Sequence, residues 1–153
     1  MYTVPEILRT GRVKFRVFTG WSKGNVYVTK AGQLIGGYKN LGEYRDSDPN
    51  YKGWHCHHVV EADDLVRLGV VNHAPPYDEQ LNVLLPERAH VGRINSILRK
   101  ENPTRYQATG EELRQAYKAA YEMMGDYCGG GEANIQQELV AIVDATFQKL
   151  GVA

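Results

Sequence analysis

Apolar residues recur at every second position early in the chain: Val13, Phe15 and Val17, then Val26 and Val28, with Leu34 and Ile35 following a turn at Ala31-Gly32. Alternation of this kind lets an extended strand bury one face and wet the other. From Gly11 to Tyr44 it predicts a small antiparallel sheet or meander. The stretch from Tyr44 to Tyr51, with Asp46, Asp48, Pro49 and Asn50, reads as polar and turn-prone. It leads straight into a histidine-rich segment.

Further on the period lengthens. Glu61 to Leu68 predicts a short helix with Leu65 and Leu68 on one side and Gly69 ending it. Pro75 and Pro76 make Asn72 to Gln80 a loop, because adjacent prolines remove donors and oppose a helix interior. Leu81 to Leu85 is a strand stopped by Pro86, and Pro86 suits the first turn of a helix running to about Arg99. Thr109 and Glu112 have capping-box spacing for a helix from Gly110 to about Tyr127, with Leu113, Ala116, Tyr117, Ala120 and Met124 on its apolar stripe. After a break at Gly129, Gly130 and Gly131, a last helix runs from Ala133 to Leu150 on Ile135, Leu139, Ile142, Val143, Phe147 and Leu150. The two form a candidate helical hairpin.

A chain of 153 residues, 42% hydrophobic, can bury most of its apolar surface in one core and is short for two, so residues 1–153 are expected to form one domain. Eighteen Lys and Arg offset eighteen Asp and Glu. Such a molecule offers no long-range attraction for a polyanion, and any nucleic-acid contact must use a local patch. Cys56 and Cys128 make at most one bridge, which leaves the redox compartment open. The amino terminus has no continuous apolar core of signal-peptide type, and no stretch predicts a membrane-spanning segment. An exported form would carry its address elsewhere.

Candidate chemistry concentrates in His55, His57 and His58, just after Trp54, with Asn82 and His90 downstream. Alternation on a strand puts His55 and His57 on one face and His58 on the other. A single site using both His57 and His58 requires the strand to end or twist there, which Gly53 just upstream permits. On a helix beginning near Pro86, His90 has Glu87, Arg93 and Ile94 on its side, while Asn95 points away. Glu87 is thus the helix-borne candidate for a direct or water-mediated cation contact; an ordinary acidic residue in a first helical turn is the plainer alternative. Asn82, at the start of a strand beside a long loop, either ties that loop or offers its oxygen to a hard cation. Arg88, Arg93, Arg99 and Lys100 form a local positive set, with Arg93 nearest His90 and the preferred phosphate contact.

The segments WHCHHVVEADDL and NVLLPERAH resemble the HNH or His-Me finger endonuclease superfamily, especially the tryptophan and double-histidine nuclease domains of bacterial polymorphic toxins. The resemblance covers about residues 54–98. It implies a beta-beta-alpha metal nuclease core that clasps one divalent cation and leaves the N-terminal antiparallel sheet and the C-terminal helical hairpin unassigned; together these give an α+β expectation for the fold. It further implies His57 as a metal ligand, His58 as general base, Asn82 as the middle asparagine that orients the base loop or supports the metal, and His90 as the helix-borne ligand. Relatives often carry a further histidine one helical turn on, where this chain has Ile94.

The chemistry implied is phosphodiester hydrolysis. The cation contacts a nonbridging oxygen and the leaving oxygen while His58 takes a proton from water, for which a histidine's near-neutral titration suits it. Mg2+, Mn2+, Ni2+ and Zn2+ all remain open as the ion. The expected substrate is DNA, with RNA as the alternative, and the toxin resemblance implies a cognate immunity protein. It also implies either residence in the producing cell's cytoplasm or secretion into a target cell. Noncatalytic, metal-stabilised protein interaction is the competing function. A protease is disfavoured because HExxH is absent, and a direct Cys56–His57 pair is awkward on a strand.

Overall fold

The computed structural model describes residues 1–87, 108–123 and 134–152. Of the helix expected from Pro86 to about Arg99, Pro86 is instead the last residue of a strand, paired with Trp54, and residues 88–99, with His90 and Arg93, lie outside the described residues, as do Cys128 and the glycine break.

Thr3 opens the first helix, α1 (Val4–Thr10), by accepting a hydrogen bond from Glu6 N at 3.3 Å, with Pro5 in the first turn. The strands β1 (Phe15–Val17), β2 (Val26–Thr29) and β3 (Leu34–Gly37) form the expected antiparallel meander. Its reach is shorter than the alternation predicts. Tyr38 to Ser47 forms a helix, α2, that buries Leu41 and Tyr44. Val17 is 56% exposed although Val13 is buried, because β1 is an edge strand and Val17 has no layer above it.

Strands β4 (Trp54–His58) and β5 (Leu81–Pro86) do not stand apart from the meander. β3 pairs with β5 through Ile35↔Val83 and Gly36↔Asn82, giving one five-stranded antiparallel sheet in the order β1-β2-β3-β5-β4. Between β4 and β5 lies α3 (Ala62–Arg67), and Gly69 ends it as expected, with φ +72. A side chain is strained in that left-handed region, and here Gly69 N reaches Val66 O and Val70 N reaches Leu65 O.

The last two described helices are α4 (Gly110–Met123) and α5 (Asn134–Leu150). The predicted capping box forms in both directions, Glu112 N to Thr109 Oγ1 at 3.1 Å and Thr109 N to Glu112 Oε1 at 3.2 Å. The helices pack together, with Arg114 and Lys118 on Asp144 at 2.8 and 3.1 Å. Their apolar stripes cover one sheet face: Leu139, Ile142, Val143 and Phe147 are buried in one cluster with Ile35, Val83 and Leu85. On the other face α2 covers Val26, Leu34 and Leu84. The protein is thus an α+β molecule whose sheet lies between unequal helical layers. Among the described residues no helix is long and apolar enough to cross a membrane.

Candidate functional site

Residues directly opposed in an antiparallel pair project to the same side, and neighbours along a strand to opposite sides. The register Cys56↔Leu84, His57↔Val83 and His58↔Asn82 therefore sends Cys56, His58 and Asn82 to the α2 face and His57 to the face under α4 and α5. β4 ends at His58, but not before the pleat has separated the two imidazoles.

His57 is 1% exposed, and its Nε2 lies 2.7 Å from the Tyr121 hydroxyl. That hydroxyl donates its only proton to Val59 O at 2.7 Å, so Nε2 must be the donor toward it. These two contacts together favour the tautomer with its proton on Nε2. One turn earlier on α4, the Tyr117 hydroxyl accepts from Glu61 N at 2.9 Å and donates to the buried Asp64 carboxylate. Arg67 completes that carboxylate's surroundings at 3.0 Å. Two tyrosine tips on α4 thus tie down the chain that leaves β4.

On the opposite face the His58 ring packs against Tyr38 and Tyr77, with centroid separations of 5.0 and 4.8 Å, the two tyrosines being themselves 5.0 Å apart. Tyr38 begins α2, and Tyr77 sits on a single 3-10 turn, Tyr77–Glu79. That turn closes tightly over the sheet end, since a Cβ on Gly37 would come 3.3 Å from Glu79 Cα. Burial, then Tyr38, Asp63 and Asp78, push the Tyr77 phenol above its ordinary value. The acidic neighbours make this approach unattractive to a bare phosphate.

Asn82 is fully buried beside His58 and donates from Nδ2 to Gln80 O at 2.9 Å. Its Oδ1 is buried and accepts no hydrogen bond among the described residues, and the same holds for Gln80 Oε1 two residues earlier. Leaving a buried acceptor unsatisfied costs about 1–3 kcal/mol. Two such amide oxygens are the hard donors that suit a divalent cation or an ordered water.

Of the sequence-predicted residues, His58 and Asn82 come together, His57 lies across the sheet, and Glu87 is exposed one residue beyond β5. His90 and Arg93 lie outside the described residues. Among the described residues, no three His, Cys, Asp or Glu side chains gather where they could hold a metal ion. Cys56 faces α2, away from His57, and burial pushes its thiol up to about 11, so it is no nucleophile at neutral pH. Sequence reasoning overlooked Tyr38, Tyr77, Tyr117 and Tyr121 as partners of the histidine segment. The available signal was tyrosine, with its polar tip, in the α4 apolar stripe.

No family model, curated protein or solved structure matches the chain.

Proposed function

We propose that the chain is a metal-dependent, nonspecific endonuclease, built on a beta-beta-alpha core of the HNH or His-Me finger kind and acting as a bacterial toxin effector domain. The observation that carries this is the register setting His58 beside Asn82 on one face at the end of the β4–β5 pair, with the chain turning helical at Glu87. In this account His58 accepts the proton of the attacking water, and Tyr38 and Tyr77 hold its ring plane. Asn82 offers Oδ1 as a hard donor. His57, across the sheet from this pair with its Nε2 2.7 Å from the Tyr121 hydroxyl, stands outside the ligand set and braces β4 from the core side. His90 and Glu87 complete the ligand set, and Arg93 contacts the phosphate. The cation, one of Mg2+, Mn2+, Ni2+ or Zn2+, supplies positive charge against the phosphate oxygens at an otherwise acidic approach. DNA is the preferred substrate over RNA, and an immunity protein is the expected partner.

A noncatalytic, metal-stabilised interaction module is the second account, favoured by the burial of His57 in the core. Digestion of circular duplex DNA, linear DNA and RNA with added divalent metal separates the two. The nuclease loses cleavage on His58→Ala and on His90→Ala with its fold retained; the module folds more stably with metal and never cuts.

A further inference from the structure

Between Glu6 and Glu43 the chain carries seven Lys and Arg and no Asp or Glu, although the whole molecule is neutral. The fold gathers five of these cations at one sheet edge. Arg9 ends α1, Arg12 follows it with φ +56, Lys14 and Arg16 lie on or beside β1, and Lys30 follows β2. All five are exposed, and none makes an ion pair among the described residues.

Their arrangement is unfavourable for a bare surface. Lys30 N bonds Lys14 O at 2.9 Å, continuing the β1–β2 register, so two lysines stand directly opposite each other. Like charges so placed destabilise a sheet. Arg16, opposite Val28, adds a third cation on the same side, and a trough of about 360 Å³ lies between them. Charges scattered along an edge strand suffice to guard it against aggregation, whereas here three cations crowd one side of the edge pair, with Glu138 the carboxylate beside Arg12, Lys14 and Lys30.

We propose that this strip, Arg9, Arg12, Lys14, Arg16 and Lys30, is a binding surface for the sugar-phosphate backbone of duplex nucleic acid. Lys14, Arg16 and Lys30 follow the pleat through Val28, Leu34 and Leu84 onto the face that carries His58. They stand at the opposite edge, four interstrand spacings or about 20 Å away. A duplex backbone crossing that width covers about six base pairs. The strip therefore supplies the phosphate affinity that the acidic surroundings of His58 lack, without reading base sequence. The choice of nucleic acid over another polyanion rests on the nuclease proposal; the anion-binding chemistry does not.

The test uses the full chain with His58→Ala, in chelator, so that nothing is cut, and a fluorescent duplex DNA titrated over a range of salt. Replacing Lys14, Arg16 and Lys30 together by Gln should weaken binding about tenfold or more and flatten the slope of log affinity against log salt by about 2–3. Lys14→Arg should bind like the parent. Equal affinity and slope in the triple variant overturns the proposal, as does aggregation of that variant with DNA binding per monomer unchanged. Equal affinity of the strip for polyglutamate at matched charge also overturns it. If this binding behaves as expected while the parent chain with added metal never cleaves, the surface stands and the nuclease is removed.

Discussion

Replacing Tyr121 by Phe removes one oxygen atom and almost no apolar surface, so its cost is nearly pure hydrogen bonding. The hydroxyl meets His57 Nε2 and Val59 O, each at 2.7 Å. Both are left inside the core, where a stranded donor or acceptor costs about 1–3 kcal/mol. Local relaxation recovers part of that, and the expected loss is about 2–4 kcal/mol. With a urea dependence near 2 kcal/mol per molar, the unfolding midpoint drops by about 1–2 M. The slope itself should not change, since the surface exposed on unfolding is the same. A stability change within about 0.5 kcal/mol, the ordinary range for a surface substitution, would refute the assignment of Tyr121 as the link between α4 and the end of β4.

Other consequences are more local. Thr109→Ala removes the acceptor for Glu112 N and should lower stability by about 1 kcal/mol in thermal or urea unfolding. Gly69→Ala forces a side chain into the left-handed region at the end of α3 and should cost about 1–2 kcal/mol by the same measurement. Burial raises the Cys56 thiol from its ordinary value of 9.0 to about 11. Because the fold holds that proton more tightly than the unfolded chain does, the stability from this group is intact below about pH 9 and is lost as pH rises toward 11. In a Cys128→Ser background, alkylation should be slow at neutral pH and accelerate across that window, with unfolding midpoints falling alongside; rapid labelling at pH 7 would contradict it.

Much of the fold was legible where local signals agree. The α4 capping box, the stripes of α4 and α5, the β5 run and the Gly69 stop are all consistent with pattern, turn chemistry and burial at once. The α1 helix went unpredicted: Thr3, Pro5 and Glu6 are start signals, but so short an element shows too little periodicity to mark it. α2 was not. Gly42 and Asn40 are poor helix formers, and only the burial of Leu41 and Tyr44 against the sheet makes the segment helical. Nor does local pattern say that β3 joins β5 across more than forty residues of chain, which turns two expected pieces into one sheet.

At the site, the pleat correctly implied that His57 and His58 part company, and the register then joined His58 to Asn82. The tyrosines that hold the two rings come from α2, the turn after Pro76, and α4. No spacing in the sequence connects them to the histidines, because their approach depends on how whole layers pack.

If the His58 imidazole takes a proton from water during phosphodiester cleavage, an exogenous imidazole should stand in for it. With His58→Ala folded as the parent by circular dichroism, metal-dependent nicking of circular DNA should be lost and should return in part when imidazole is added, in proportion to its neutral form. Nicking by the variant at the parent's rate without imidazole would contradict the claim.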